Sequence, residues 1–370
     1  MKETITSFVG LDVHKDSIAI AVAQAGRQAP RFVGTVTPEL ASVCKALRRV
    51  ANAQHTLVVY EAGPCGYGLA RHLNAHGYCC EVIAPARISR SPAEQRVKTD
   101  RRDALLLARE SRAGNLVPVV MPDERDEAIR DLSRTREDVC TARLRARQQL
   151  KAMLLRHGRS YQGKTSWTLA HERNLSTVSF AHPAQDIAFA EYRQAVKDSH
   201  ERLARLTEAL RTQSSQWRMN PLVHGLMSLR GFDFVGAITF IAEIGDPRRF
   251  ANAPALMAYL GLVPSESSSG LTRHQGSITK TGNKHARRIL IEAAWNYRHS
   301  ARISRVLEVR QQGQPKIVRD IAWHAQLRLT KRYRHLAIGR RLPPNKVSVA
   351  IARELAGFIW DIARQVKPLP

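Results

Sequence analysis

Four acidic residues in the first third of the sequence occupy positions where a carboxylate is costly unless it is paired or bound to a cation. Asp12 interrupts one apolar run and Glu61 ends another, while Asp100 and Asp103 lie three positions apart near the start of a predicted helix. Hard divalent cations prefer oxygen ligands, and two of them can clamp the attacking and leaving oxygens of a phosphoryl transfer. We therefore expect the four acids to hold one or two Mg²⁺ ions. The alternative is that they are surface acids paired with Lys98, Arg101 and Arg102.

A serine-rich segment at 261–270, followed by cationic residues, is the second candidate site. Such segments are usually polar turns, but glycine leaves room for a substrate backbone and cationic side chains stabilise charge on phosphoryl oxygens. A serine hydroxyl needs activation by a base or a metal. The segment contains no obvious base, so we infer activation by the acidic site across a domain interface. The cationic residues expected to bind nucleic acid are Arg273, Lys280, Lys284, Arg287 and Arg288.

The segments that must position the acids alternate between strand and helix patterns over residues 1–120. Strands are predicted at 7–13, 17–23, 31–36, 55–61 and 78–83, and helices at 38–50, up to about 76, and at 103–112. Three leading strands followed by alternating helices and strands predict an α/β sheet. Their order resembles the RNase H fold.

Residues 121–215 are predicted to form a helical arm. Large apolar residues recur in its second helix at alternating steps of three and four, which is a heptad seam of about three repeats. A weaker seam runs through the first helix, at 125–155. The two helices are expected to fold back on each other, either as a monomeric hairpin or as a dimerising coiled coil. The second seam comprises Phe189, Tyr192, Val196, Ser199, Leu203, Leu206 and Leu210, and the first Ala128, Leu132, Val139, Ala142, Ala146 and Leu150.

The net charge indicates a polyanionic partner. The sequence has 58 lysines and arginines against 32 acids, a formal net charge of +26. Nucleic acid is favoured over a membrane, because no apolar stretch approaches the roughly 18 residues of a spanning helix. Residues 301–350 hold twelve lysines and arginines against two acids, which favours phosphate contacts by the helical domain predicted at 216–370. A solvated basic face is the alternative.

The cysteines and the N-terminus indicate the compartment. The five cysteines show no zinc-ligand spacing, and an odd count without a disulfide framework predicts reduced thiols. The N-terminal segment runs into a strand pattern and does not look like a signal peptide. We therefore expect a cytoplasmic protein.

Residues 229–237 predict a turn between two helices. The spacing Gly231-x-x-x-x-Gly236 resembles a helix-hairpin-helix, whose hairpin amides and following helix N-terminus can receive a phosphate. The usual Pro-Gly start is Arg230-Gly231 here, and Phe234 is bulky for a tight turn. The alternative is a packed helical corner.

Taken in order, these motifs resemble the DEDD transposases of bacterial insertion sequences, the insertion sequence 110 family. The resemblance spans most of the chain. It rests on GLDVHK at 10–15, EAG at 61–63, KTDRRDA at 98–104, YLGLVP at 259–264, SG at 269–270, Gly276 and TKTGN at 279–283.

The resemblance implies a fold, a mechanism and partners. The N-terminal domain would be RuvC-like, with the four acids binding Mg²⁺, and the C-terminal domain would supply a nucleophilic serine. Ser269 matches that position before Gly270, with Ser268 as the adjacent alternative. Members of the family join this serine to a DNA strand end through a phosphoserine bond, and they recombine donor and target DNA as dimers and tetramers. A structured bridge RNA pairs with both DNAs. The protein would then bind the nucleic-acid backbones, while base pairing selects the sequence.

We therefore predict a Mg²⁺-dependent DNA recombinase in which Ser269 attacks a phosphodiester. The enzymatic alternative is a metal-dependent nuclease or junction resolvase on the same fold, with water as the nucleophile. The non-enzymatic alternative is an RNA-binding or architectural protein that retains an unused acidic cluster. The serine segment favours the recombinase, because neither alternative needs it.

Overall fold

The computed structural model describes residues 4–85, 88, 99–269 and 272–369, apart from the side chain of Arg273. Lys98 and Gly270 of the predicted motifs lie outside the described residues. The chain divides into two compact units, Met1–Met121 and Pro122–Pro370. The predicted arm and the predicted C-terminal domain both fall in the second unit.

The first unit contains a five-stranded sheet. Its order is β3-β2-β1-β4-β5; β2 is antiparallel to both of its neighbours, and β4 is parallel to both of its own. Each strand lies within one residue of its predicted position, so the predicted α/β sheet is confirmed. The strands are β1 (Ser7–Val13), β2 (Ile18–Gln24), β3 (Arg31–Val36), β4 (Thr56–Glu61) and β5 (Cys79–Ile83).

Helices cover both faces of this sheet. The helices α1 (Leu40–Arg48) and α2 (Gly68–Ala75) pack on one face, and α3 (Asp100–Arg112) packs on the other. α3 begins three residues earlier than predicted, because the Thr99 side chain caps it by accepting a hydrogen bond from the backbone nitrogen of Arg102 at 3.3 Å.

The residues of β2 show how the two faces differ. Ile20 and Val22 pack in the core with α1 and α2, whereas Ala19 and Ala21 pack with alanines of α3. Side chains alternate between the faces of a strand. The small residues on the second face let α3 lie close to the sheet.

The second unit is mainly helical, as predicted. Its two longest helices, α4 (Glu124–Arg156) and α6 (Pro183–Ser214), pack along each other, and the short α5 (Leu169–Ser176) lies between them in the sequence. The remaining helices are α7 (Asn220–Leu226), α8 (Phe234–Ile244), α9 (Ala253–Tyr259), α10 (Lys284–Ala294), α11 (Arg305–Gln311), α12 (Lys316–Arg334) and α13 (Pro344–Gln365).

The burial of the arm helices follows the predicted seam on α6 but only part of it on α4. The seam residues buried on α6 include Phe189 and Leu203. On α4, Ala128 and Ala142 are exposed, and Ile129 is buried beside the first of them. The predicted seam is wrong at the start of α4, because this part of the helix packs against the core of the helical domain as well as against α6.

The serine-rich segment is not the polar turn that such segments usually form. It forms an antiparallel hairpin of β6 (Pro264–Ser269) and β7 (Thr272–Ile278). The described residues of β6 are exposed or half-buried. Backbone hydrogen bonds therefore hold this hairpin together. Its strands have no apolar face, so the sequence pattern does not predict them.

Candidate active site

Two of the predicted acids lie side by side at the carboxyl ends of neighbouring parallel strands. The register of β1 and β4 pairs Leu11 with Tyr60, so Asp12 and Glu61 are the next residues of the two strands. Leu11 and Tyr60 are buried on the side of α1 and α2. Because side chains alternate, Asp12 and Glu61 face the side of the sheet that α3 covers.

The close approach of α3 to β1 brings the other two acids to this face. Gly10 lies two residues before Asp12 on the same side, and a Cβ built on it would lie 2.5 Å from the backbone nitrogen of Ala108. Glycine therefore permits a helix-to-strand contact that a side chain would prevent. The first turn of α3 carries Asp100 and Asp103, where the helix dipole also favours carboxylates.

Three side chains at this end of the sheet form a possible metal site. The Nε2 atom of His14 lies 3.2 Å from Oδ2 of Asp12 and 3.6 Å from Oδ1 of Asp100, and one ligand atom from each of the three lies within 4.8 Å of the others. The two carboxylates supply the oxygen ligands that hard divalent cations prefer, and the imidazole lies in contact with both of them. His14 lies two residues after Asp12, in the turn that follows β1, and its ring contacts both Asp12 and Asp100.

The environment of Asp12 is anionic and partly dry. Its side chain is only 14% exposed. Burial raises the pKa of Asp12, His14 opposes this effect, and the charges of Asp103 and Asp100 raise the pKa further. A carboxylate that is desolvated and repelled by its neighbours gains strongly from a bound cation. The electrostatics of the cluster therefore also fit a metal.

The structure thus brings Asp12, Asp100 and Asp103 into one electrostatic cluster. Asp103 is buried on α3, and Asp100 is exposed to solvent. Glu61 is half-buried at the adjacent strand end and lies outside the three-residue group around His14.

Ser269 is exposed at the end of β6. Its carbonyl accepts a hydrogen bond from the Thr272 hydroxyl at 2.8 Å, while the neighbouring Ser268 hydroxyl donates to Oε1 of Glu266 at 3.0 Å. Glu266 and Ser268 share one face of the strand, and Ser269 lies on the other. Within this segment, Glu266 is therefore a carboxylate acceptor for the Ser268 hydroxyl, and its i, i+2 spacing on a strand is what brings the two side chains together.

Two sequence motifs, YLGLVP at 259–264 and TKTGN at 279–283, flank the hairpin and contact each other at two glycines. Gly261 and Gly282 have φ values of 64° and 71°, which favour glycine. A Cβ on Gly261 would lie 2.5 Å from the backbone nitrogen of Thr281, and one on Gly282 would collide with the carbonyl oxygen of Tyr259. The backbones of the two motifs are therefore in direct contact, which leaves no room for a side chain at either glycine.

A buried carboxylate anchors the second of these motifs. Both oxygens of Glu243, whose side chain is 0% exposed, accept hydrogen bonds from Arg134, at 2.7 and 2.9 Å. The amide of Asn283, which caps α10, donates to Oε2 of Glu243 at 2.6 Å. Burial alone would raise the pKa of Glu243, but the hydrogen bonds from Arg134 and Asn283 outweigh burial and lower it.

Two family models match the chain. A model of IS110-type DEDD transposases matches residues 9–158, and one described as "Transposase IS116/IS110/IS902 family" matches residues 223–308. The protein named "Putative transposase y4qE", from Sinorhizobium fredii, is 44% identical over 98% of this chain and 89% of its own length. The chain belongs to the IS110 family of DEDD transposases.

A further relative of this IS110-family chain is the transposase for insertion sequence element IS1533 of Leptospira borgpetersenii. It is 29% identical over 90% of this chain and 97% of its own length. The four predicted acids fall within the first range matched by a family model, and Ser269 falls within the second. The family predicted from the sequence motifs is confirmed.

The predicted nucleic-acid-binding residues of the transposase occupy different environments. Lys280 and Lys284 are exposed. Arg287 donates to the carbonyl of Thr281 at 2.7 Å, so it also holds the loop before α10. Arg288 is ion-paired with Glu137 at 2.8 Å. The remaining member of the set is Arg273, whose side chain lies outside the described residues.

The turn that resembles a helix-hairpin-helix packs tightly in this transposase. Gly231 has a φ of 92°, and a Cβ on it would lie 2.8 Å from the Cα of Ala293 in α10. Oδ1 of Asp233 accepts a hydrogen bond from the backbone nitrogen of Gly236 at 2.8 Å and caps α8. These contacts fit the packed helical corner, and phosphate binding by the hairpin amides stays a prediction.

The helices of the transposase differ from membrane spans. Within the described ranges, each helix is either too short or too polar to cross a lipid bilayer.

Proposed function

We propose that this transposase is a Mg²⁺-dependent recombinase that cleaves and exchanges DNA strands through a covalent bond to Ser269. The observation that carries the proposal is the acidic cluster at the end of β1 and the start of α3, in a chain of a DEDD transposase family. The strand order β3-β2-β1-β4-β5, with three antiparallel strands followed by two parallel additions, supports an RNase H-like, RuvC-like first unit.

The acids would hold Mg²⁺ in this unit. Asp12 and Asp100 would ligate it, with Glu61 and Asp103 as the further carboxylates. When bound, the ion supplies charge stabilisation to phosphoryl oxygens. Mg²⁺ prefers oxygen ligands, so His14 acts by orienting Asp12 through their 3.2 Å contact. The chain contributes rigid placement, because Gly10 fixes the distance between β1 and α3.

The covalent step exchanges one phosphate ester for another. The Ser269 oxygen forms a bond to phosphorus while the bond between phosphorus and a deoxyribose oxygen breaks. The serine proton leaves to a base, and the departing deoxyribose oxygen takes up a proton as a hydroxyl. Attack by a deoxyribose hydroxyl of another strand then releases Ser269, and no water is consumed. The exposed Lys280 and Lys284 supply positive charge for the phosphates.

The proposed partners are donor DNA, target DNA and a bridge RNA. A net charge of +26 supports binding to nucleic-acid backbones. We also propose that α4 and α6 form a coiled-coil arm that dimerises the protein, with dimers assembling to a tetramer. Leu155 and Ile187 of the arm are 70% and 66% exposed, which leaves apolar surface for a second copy. The proposed location is the cytoplasm.

A strand-exchange assay tests the proposed function. Purified protein, its copurified RNA, and donor and target DNA are incubated with Mg²⁺, and joined products are amplified across the new junction. We expect Asp12→Asn to abolish joining and Asp16→Asn, an exposed acid on the neighbouring turn, to retain it. Joining by Asp12→Asn at the wild-type rate would refute the role of the acids. Hydrolysed ends without joining would favour the metal-dependent nuclease.

A further inference from the structure

A large cleft lies within the second unit, and its lining includes Arg288 and the turn at 230–236 but neither Ser269 nor the four acids. It has a volume of about 1150 Å³ and lies among α4, α8, α10 and the segment 299–310. Small-molecule sites usually have roughly 300–1,000 Å³, so the size favours part of a polymer. Seven arginines and three acids line the cleft.

One wall of the cleft is a row of arginines on α4. Arg136, Arg143 and Arg147 follow at steps of seven and four, so they share one helix face. Burial lowers the pKa of Arg147, and the charge of Arg143 lowers it further. Within the described part of the chain, Nε of Arg147 is buried without a hydrogen-bond partner, and its guanidinium lies 4.7 Å from the ring centroid of Trp167. Among the described residues, none of the three arginines forms an ion pair within 4 Å, although the charge of Asp233 acts on Arg136 and that of Glu172 acts on Arg147. The row therefore concentrates positive charge along this wall.

A second part of the lining is stiffened by arginines that bind the backbone. Arg230 donates to the carbonyls of Ser300 and Arg302, at 2.9 and 3.0 Å, and Arg310 donates to the carbonyl of Phe232 at 2.9 Å. The side chain of Arg302 remains exposed on this part of the lining. It faces the same cleft as the arginines of α4.

The three acids of the cleft are already engaged. Glu137 binds His285 and Arg288, at 3.1 and 2.8 Å, and Glu292 binds Arg288 at 2.9 Å. Asp233 caps α8. Because these acids are committed within the protein, the side chains left to meet a ligand are mainly cationic.

We propose that this cleft binds the sugar–phosphate backbone of a nucleic acid, with Arg143 of α4 and Arg302 of the segment 299–310 contacting its phosphates. The proposal rests on the proposed function, which supplies nucleic-acid partners. From Arg136 to Arg147 the helix rises about 16 Å. Successive phosphates of one strand lie about 3.4 Å apart along a duplex axis, so the row spans several of them. A strand therefore fits better than a single phosphate.

Charge-removal variants with a matched control test the cleft. The cleft variant is Arg143→Gln with Arg302→Gln, and the control is Arg145→Gln with Arg156→Gln, two exposed arginines of α4 outside the cleft lining. Each removes two charges. Binding of a DNA duplex and of an unstructured RNA strand with the same number of phosphates is measured against salt concentration. The cleft variant should reduce the slope of log K against log salt by about 1.8 for the duplex or about 1.4 for the single strand.

The outcomes separate the cleft from the proposed function. If the cleft variant reduces the slope of log K against log salt for only one of the two probes, that nucleic acid is the ligand of the cleft. Equal slopes for the cleft variant and the control, with wild-type protein that binds and joins DNA, would overturn the cleft alone. Wild-type protein without salt-dependent binding to either probe would overturn both proposals.

A crosslinking measurement does not depend on removing arginines. Leu144 lines the cleft and is 57% exposed, while Gln149 is exposed on another face of α4. A photoreactive amino acid at position 144 should crosslink the bound probe several times more than one at position 149. Equal crosslinking at the two positions would contradict the proposal.

Discussion

Gly10 of β1 and Ala108 of α3 touch at backbone distance, because a Cβ on Gly10 would lie 2.5 Å from the nitrogen of Ala108. Asp12 follows Gly10 on the same side of the strand, and Asp100 begins the helix. The contact therefore sets how far the acid of the sheet lies from the acids of the helix. A metal site made of carboxylates from two elements depends on such a fixed separation.

Replacing Gly10 with alanine should disturb both stability and activity. The added methyl group must displace α3, which should lower the free energy of unfolding by about 1–3 kcal/mol. A shift of about 1 Å at the acids should slow strand exchange by about 100-fold. Denaturant unfolding and the exchange assay measure the two effects. Gly68→Ala is the control, because a Cβ on Gly68 meets no atom within 4 Å; equal behaviour of the two variants would contradict the packing argument.

Asp12→Asn should be less stable than the wild-type protein in the presence of Mg²⁺ and more stable than the wild-type protein in its absence. With a chelator at neutral pH, the variant should unfold at the higher temperature, because it lacks the buried charge that Asp100 and Asp103 repel. Added Mg²⁺ should stabilise the wild type by about 2.7 kcal/mol at 100 times its dissociation constant, and the variant much less. Scanning calorimetry with and without Mg²⁺ measures both. The same gain in each protein would exclude Asp12 as a ligand.

Glu243→Gln should destabilise the helical unit in a pH-dependent way. The amide cannot accept both hydrogen bonds from Arg134, and we expect a loss of about 1–3 kcal/mol at neutral pH. The folded-state pKa of Glu243 lies below its ordinary value of 4.5. The stability that it contributes is therefore present above pH 4.5 and is lost as the pH falls through the lower, folded-state pKa. Urea titrations at several pH values should show the difference between wild type and variant shrinking in acid.

The exposed acid Glu201 on α6 provides the comparison for that prediction. Glu201→Gln should change the free energy of unfolding by less than about 0.5 kcal/mol at every pH. A difference for Glu243→Gln that grows in acid would mean that the carboxylate is not stabilised by Arg134 and Asn283.

The sheet could be predicted from the sequence because its strands are apolar runs ended by turn residues or by acids such as Asp12 and Glu61. The hairpin of Ser269 could not, since its strands are polar on both faces and are held by backbone pairing. The seam of α4 was misplaced at Ala128, because the partner of the helix changes along its length. The place of His14 in the cluster could not be predicted, because it depends on α3 bringing Asp100 to within 3.6 Å of the imidazole.

The most direct test of the account is to find the amino acid that carries DNA. Wild-type protein is incubated with Mg²⁺ and donor DNA, digested with protease and nuclease, and analysed by mass spectrometry. We predict a nucleotide on Ser269, no adduct from Ser269→Ala, and a retained adduct from Ser268→Ala, which loses only the hydrogen bond to Glu266. Cleaved DNA with no covalent adduct, or an adduct that persists when both Ser268 and Ser269 are replaced, would contradict the account.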